Sequence, residues 1–339
     1  MGAVLELEDL RIDYRTAAGD ARAVDGVSFS VDAGEYLGLV GESGCGKSTI
    51  AKAILGILPP NARVAGGSMR YRDRELVGLA PARMRELRWK EIALVPQSAM
   101  NGFDPVYTVQ AQLDEAIVAH ASMRPQERRA RLEQLFAMVG LEARRLEDYP
   151  HQFSGGMRQR AMIAMAMVLD PGLVVADEPT TGLDVIVQDQ ILQRIRRIHV
   201  EQRKTMLLIT HDMAVVAENC DRIVVMYAGQ VMESGREAVF REPFHPYTLA
   251  LCNAFPDLDD RDRELISIPG VPPSLLDPPP GCRFAPRCPF ATERCRVETP
   301  APVVVGPDHV AACHHVGRAD EFRRLARDPS TWRERVDAA

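Results

Sequence analysis

The sequence contains no apolar run long enough to cross a bilayer. Its longest stretches, such as residues 161–169, fall far short of the roughly 20 residues that a spanning helix needs. It carries no basic excess: Lys and Arg total 41 against 47 Asp and Glu, a net charge of −6. A general nucleic-acid coat needs a positive field, so that class of partner is disfavoured. The opening residues, Met1-Gly2-Ala3-Val4-Leu5-Glu6, supply neither the basic segment nor the apolar core of a secretory leader, and the expected compartment is the cytoplasm. There is no internal repeat, and the cysteines form no tight Cys-x-x-Cys pair of the kind a zinc ribbon uses.

What is present is a long globular chain. Its 339 residues are too many for one average domain and suffice for a large core plus an appendage. Residues 4–12 alternate apolar and polar, and Val27, Phe29 and Val31 repeat that period, so both segments read as strands. Residues 36–40 form a short apolar run that ends in a Gly-rich turn. Residues 48–58 then read as a helix stopped by Pro59-Pro60. Further on, residues 125–139 place Leu132, Leu135, Phe136 and Val139 on one helical face, and residues 155–169 read as another helix. A buried strand is expected at 173–176, and Val187, Ile191, Ile195 and Ile198 mark an amphipathic helix. Residues 205–210 and 222–227 read as strands. Strands alternating with helices imply an α/β fold with a largely parallel sheet, in which the helix-rich segment 97–169 is an insertion. Beyond Phe255, Pro256, Pro269, Pro272, Pro273 and Pro278-Pro279-Pro280 break any long helix. That segment reads as a linker to a small module tied by cysteines.

Two constellations carry chemistry. Gly41-Glu42-Ser43-Gly44-Cys45-Gly46-Lys47-Ser48, followed by Thr49, fits the phosphate-loop pattern and stands between a predicted strand and a predicted helix. Its glycines let backbone N–H groups turn toward phosphate oxygens, and the helix N-terminus adds partial positive charge. Lys47 is expected to bridge the β- and γ-phosphates, and the Ser48 hydroxyl to ligate Mg²⁺. Cys45 reads as a small residue that fits the loop. Downstream, Asp177 and Glu178 stand at the C-terminal edge of the predicted buried strand, where ligands sit on parallel sheets. Alone, the pair reads equally well as an acidic helix cap. With the loop, Asp177 reads as the Mg²⁺ ligand and Glu178 as the general base that polarises the attacking water.

At this point the motifs resemble a family. Phe153-Ser154-Gly155-Gly156-Met157-Arg158-Gln159-Arg160 resembles the signature of the ATP-binding-cassette (ABC) ATPases, and the segment from Asp177 to Asp184 resembles their Walker B motif and D-loop. Gln97 is similar to the Q-loop residue and His211 to the switch histidine, and the motifs follow the family order over residues 4–235. The resemblance implies a P-loop NTPase with a RecA-like core, an antiparallel β subdomain and a helical subdomain at about 98–169, all within residues 1–242. It implies two subunits that sandwich ATP head to tail, with Ser154 and Gly156 of one facing Lys47 of the other. Gln97 would sense Mg²⁺, His211 would contact the γ-phosphate, Tyr14 would stack on adenine, and Asp184 would contact the second subunit or cap its own helix. Phe153 stands where Leu is usual and Met157 where Gln is frequent. Both variants resemble those of the dipeptide/oligopeptide branch.

Residues 243–339 carry the rest of the resemblance. Phe244-His245-Pro246-Tyr247-Thr248 is similar to the start of the C-terminal extension of peptide and nickel importer ATPases. Four of the seven cysteines follow, Cys282, Cys288, Cys295 and Cys313. Four thiolates suit a [4Fe–4S] cluster or a structural Zn²⁺, and a bound metal would supply folding energy to a segment poor in apolar residues. The resemblance favours the cluster, with zinc second, and His309, His314 and His315 keep a mixed ligand set open. The implied function is the ATPase motor of a peptide importer on the cytoplasmic membrane face. Its implied partners are a second, paralogous ATPase, two membrane permeases and an extracytoplasmic substrate-binding protein. Nickel or oligosaccharide cargo is the alternative. A non-transport ABC ATPase of DNA repair or translation fits less well, because coiled-coil arms and a second cassette are not visible. An exporter cassette would lack the His245-Pro246-Tyr247 extension.

Overall fold

The computed structural model describes residues 2–97, 102–254 and 266–333. The expected start of the helical insertion at about 98, and the linker residues 255–265, lie outside the described residues. Strands β1 (Ala3–Thr16) and β2 (Gly19–Asp32) form a hairpin, and β3 (Tyr36–Val40) runs into α1 (Lys47–Ile54). Strands β4 (Ala62–Tyr71) and β5 (Arg74–Glu75) follow, then α2 (Pro81–Leu87) and β6 (Ile92–Val95). Helices α3 (Val109–His120), α4 (Pro125–Val139) and α5 (Gly155–Ala166) lead to β7 (Leu173–Asp177). Next come α6 (Val185–Gln202), β8 (Thr205–Thr210), α7 (Met213–Asn219), β9 (Arg222–Tyr227) and β10 (Gln230–Gly235). The C-terminal part adds α8 (Ala238–Arg241), α9 (Pro246–Asn253), α10 (Glu293–Val297), β11 (Val303–Gly306) and β12 (His309–Ala311).

These strands make two sheets, a four-stranded antiparallel one in the order β2-β1-β4-β5 and an eight-stranded one in the order β11-β12-β10-β9-β3-β8-β7-β6. Pairing is parallel from β9 through β3, β8 and β7 to β6, as the alternation of strands and helices predicts. The central strands are buried on both faces, so each side chain is assigned by the two-residue period. Leu207 and Ile209 of β8 face the antiparallel sheet and α1, whereas Met206 and Leu208 face the helical insertion. Leu132, Leu135, Phe136 and Val139 all enter the core under the insertion, the face that the sequence assigns to them. Helix α1 ends four residues earlier than the proline stop suggested. Gly56 adopts φ +60°, a left-handed C-terminal conformation that glycine takes without steric cost, and this closes the helix before Pro59.

The C-terminal part is not a loose appendage. β12 pairs with β10 through Glu233↔Ala311 and Ser234↔Val310, which extends the main sheet. Tyr247, Phe284 and Phe322 share a third core with Val40, Val225 and Tyr227 of the central strands. His245 caps α9 by accepting the Tyr247 N–H on Nδ1 at 3.0 Å, in a fully buried position. Burial pushes its pKa down to about 3, so the ring stays neutral in the fold while the unfolded chain takes up a proton below about 6.5. The fold therefore has this contribution in full above about pH 6.5 and loses it as pH falls toward 3. The loss is about 3 kcal/mol by pH 4, at roughly 1.4 kcal/mol per pH unit. Urea unfolding of the wild type and of His245→Asn at pH 7 and pH 4.5 checks this. The wild type is expected to lose more stability on acidification than the variant, and equal losses would show that the histidine is not responsible.

Candidate nucleotide-binding and hydrolysis site

β3 delivers the chain to the loop of residues 41–46 at the C-terminal edge of the parallel strands, and α1 begins immediately after it. Gly46 takes φ +106°, and a Cβ there would stand 2.3 Å from the Ala23 carbonyl oxygen. Gly41 is packed as closely, with a Cβ meeting the Met226 oxygen at 2.1 Å. Both positions therefore demand glycine, because β9 and β2 press against the loop. Lys47 is buried, and its Nζ donates to the carbonyls of Gly41 at 2.7 Å and Glu42 at 3.0 Å. Cys45 is also buried, 3.5 Å from Lys47 Nζ, and burial pushes its thiol up despite the ammonium. Tyr14, on β1, reaches the loop through a 3.2 Å hydrogen bond between its hydroxyl and Thr49 Oγ1.

The acidic pair lies on the strand next but one to β3. Ser48 Oγ donates to Asp177 Oδ1 at 2.9 Å, which joins the loop to the end of β7. Burial pushes the Asp177 carboxyl above its ordinary value. The Ser48 hydrogen bond opposes this shift and the neighbouring Glu178 charge adds to it. Such a carboxylate favours a cation, and Ser48 and Asp177 are the hard oxygen donors that Mg²⁺ selects. Glu178 leaves the strand at φ +45°, a left-handed conformation that costs a non-glycine residue about 1–2 kcal/mol. Its N–H is held by Ile209 O at 2.8 Å. Its carboxylate accepts from Gln97 Nε2 at 2.9 Å and from Thr181 Oγ1 at 2.8 Å, and His211 Nδ1 lies 3.4 Å away. Ser48, Gln97, Asp177, Glu178 and His211 thus meet in one place although they come from the first turn of α1 and the ends of three strands, β6, β7 and β8. Thr181 belongs to the group as well. It lies inside the segment from Asp177 to Asp184, where the sequence alone assigns it no role.

The signature residues stand elsewhere on the chain. Ser154 is exposed and caps α5 by accepting the Met157 N–H at 3.3 Å, while Phe153 is buried in the core beneath the insertion. Gly155 and Gly156 pack against Leu183 and Val187, where a Cβ would stand 3.2 and 2.6 Å from their side chains. Asp184 caps α6 by accepting the Val187 N–H at 3.0 Å.

Cys282, Cys288, Cys295 and Cys313 line one cavity of about 20 Å³, together with Phe284, Phe290 and Phe322. No disulfide joins these four cysteines. Among the described residues, no three Cys, His, Asp or Glu side chains are close enough to chelate a single metal ion. Burial pushes Cys282 up to about 11 and Cys313 up to about 12, and Cys288 well above its ordinary value. Backbone N–H groups two residues on, those of Phe284, Phe290 and His315, oppose those shifts by donating to the sulfurs of Cys282, Cys288 and Cys313.

A phosphate loop between a parallel strand and a helix, faced by an acidic pair on a neighbouring strand, defines a P-loop nucleoside triphosphatase. A family model described as ABC transporter matches residues 24–181, and one described as oligopeptide/dipeptide transporter, C-terminal region, matches residues 232–295. The dipeptide transport ATP-binding protein DppD of Bacillus subtilis is 42% identical over 92% of this chain and 95% of its own length. The oligopeptide transport ATP-binding protein OppD of Salmonella typhimurium is 44% identical over 91% of this chain and 93% of its own. Among solved structures, a dimeric ATP-binding cassette in a post-hydrolysis state with ADP and Pi superposes with a TM-score of 0.62 at 26% identity. That match covers 69% of this chain and 98% of the cassette. The chain belongs to the ABC transporter family, in the group of dipeptide and oligopeptide transport ATP-binding subunits.

Proposed function

We propose that this chain is the ATP-hydrolysing subunit of an importer that energises uptake of di- and oligopeptides, held on the cytoplasmic face of the membrane by permease subunits. The observation that carries the hydrolytic part is the meeting of Ser48, Gln97, Asp177, Glu178 and His211 at the end of the phosphate loop. The names of the relatives and the match over residues 232–295 support the peptide part. Among the described residues no helix is long and apolar enough to cross a membrane, so membrane attachment falls to the partners.

In this reading the backbone N–H groups of residues 41–49 and the Lys47 ammonium bind the phosphates, and Tyr14 stacks on the adenine. Ser48, Gln97 and Asp177 would hold Mg²⁺, whose charge would offset that of the phosphates. Glu178 takes the proton of the attacking water, held in place by Gln97 and Thr181, while His211 orients the γ-phosphate and the water. The exposed Ser154 and the glycines after it, at a helix N-terminus, suit a γ-phosphate held by a second subunit, a paralogue in the reading we favour. Asp184 meets that subunit beside them.

We assign Cys282, Cys288, Cys295 and Cys313 to a [4Fe–4S] cluster, with Zn²⁺ second. The four sulfurs line one common cavity, which supports a shared group, and the cluster stands before zinc on the resemblance of the extension to that of peptide and nickel importer ATPases. The cluster would supply iron–thiolate bonds that tie the extension together.

Purification of the intact complex without oxygen tests the whole reading. Expected are two permeases, a second ATPase, iron and sulfide in a ratio near unity, and a brown visible spectrum. A colourless complex with one zinc per chain would overturn the cluster assignment. A membrane-free complex with DNA or ribosomes would overturn the transport assignment.

A further inference from the structure

Glu42 is the one carboxylate within the phosphate loop, and a negative charge there repels a triphosphate. The C-terminal extension grips this residue twice. Its backbone N–H donates to Tyr247 Oη at 2.9 Å, and its carboxylate accepts from Arg287 Nη1 at 2.8 Å. The Arg287 side chain is 7% exposed and has little freedom. Nε donates to Pro269 O at 2.8 Å, Nη2 to Ile268 O at 3.2 Å and Nη1 also to Tyr227 Oη at 3.1 Å, with the guanidinium over the Tyr227 ring. Arg287 immediately precedes Cys288, and Tyr247 packs on Phe284 with ring centroids 5.3 Å apart. Each gripping residue thus adjoins one that lines the four-cysteine cavity, Arg287 beside Cys288 and Tyr247 against Phe284.

We infer that Arg287 is a positioning residue of the nucleotide site, which neutralises Glu42 and holds it aside so that ATP affinity depends on the folded C-terminal module. The inference rests on the reading of residues 41–49 as the ATP-phosphate loop and adds a control on that loop from outside the nucleotide-binding motifs. Neutralisation requires charge, not shape alone. A strut that only packed the loop would be broken by either substitution of the pair, and the double variant would be about as weak as either single one. A neutralising partner would instead become dispensable once the carboxylate is gone.

The test is the affinity of the purified full-length chain for ATP, measured by competition against a fluorescent ATP analogue. The variants are Arg287→Ala, Glu42→Gln, the double variant and Lys47→Ala, each checked for cooperative unfolding. Arg287→Ala is expected to weaken ATP about tenfold, equivalent to about 1.4 kcal/mol. Adding Glu42→Gln is expected to restore most of that loss. Glu42→Gln alone is expected to bind ATP at least as tightly as the wild type, because it frees a guanidinium charge beside the loop, and this arm decides the matter if Arg287→Ala does not fold. Wild-type affinity in Arg287→Ala, failure of Glu42→Gln to rescue it, or weakened binding by Glu42→Gln alone would each overturn the inference. If Lys47→Ala leaves ATP binding intact, the reading of the loop itself fails, which is a distinct outcome.

Discussion

Replacing Glu178 by glutamine is expected to slow ATP hydrolysis by about 10²–10⁴-fold, the range a positioned general base contributes, while ATP binding persists. In the proposed role the carboxylate is held by its neighbours. Gln97 and Thr181 fix Oε2 by two hydrogen bonds, at 2.9 and 2.8 Å, and leave Oε1 toward His211 as the oxygen free to take a proton. An amide fills the same volume but presents a donor at one position and has no basicity at the other. Lys47 on the loop carbonyls and Ser48 on Asp177, which would carry most of the phosphate and Mg²⁺ binding, do not touch the Glu178 side chain, and the amide keeps an oxygen that can accept from Gln97, so affinity is expected to persist. Steady-state phosphate release and equilibrium binding on the same preparation check both halves. A variant that hydrolyses ATP within a few-fold of wild type would remove Glu178 from the catalytic role and direct attention to His211.

Glu233→Ala is expected to cost about 3–5 kcal/mol of stability, the range for removing one member of a buried charged or strongly polar pair. Glu233 is 1% exposed, on β10, and its two oxygens serve three donors: the N–H groups of Phe244 and His245, and His309 Nε2 at 2.7 Å. One carboxylate therefore joins the main sheet to the start of α9 and to β12. Alanine would leave three donors without this acceptor, those of His245 and His309 fully buried and that of Phe244 partly so, and each unmet group carries its own desolvation cost. Denaturant unfolding of the full chain measures the loss. A change below about 1 kcal/mol would mean that the neighbouring core, not this junction, holds the extension to the sheet.

The parts of this protein that could be read in the sequence are those in which neighbouring residues act together. The phosphate loop is one contiguous segment whose conformation needs glycine at set positions, so Gly41 to Ser48 announced both a turn and an anion site. The strands at 36–40, 205–210 and 222–227 appear at their expected limits because both faces are covered and, Arg222 apart, every residue is buried and apolar or small. β4 was not legible. Gly66-Gly67 lies in its middle, and glycine pairs weaken a strand signal. The strand forms because β1 pairs along it and the register shifts at Arg11, where Gly67 at φ +83° admits the Asp9 carbonyl. β12 is three residues long, too short to show a period, and exists because β10 offers it an edge.

The sequence by itself determined the class of chemistry. A triphosphate loop, an acidic pair, a signature helix and four late cysteines are each local patterns, and their order along the chain identified the family. The tertiary structure alone decided which groups meet. Gln97 reaches Glu178 across 81 residues, and Arg287 reaches Glu42 across 245, pairs that no spacing rule connects. The reason is physical. A loop's conformation follows from the torsional freedom of its own residues. A contact between distant segments depends instead on the order in which strands assemble into a sheet, and here that order brings β6 beside β7 and joins the extension to the sheet through β12 on β10.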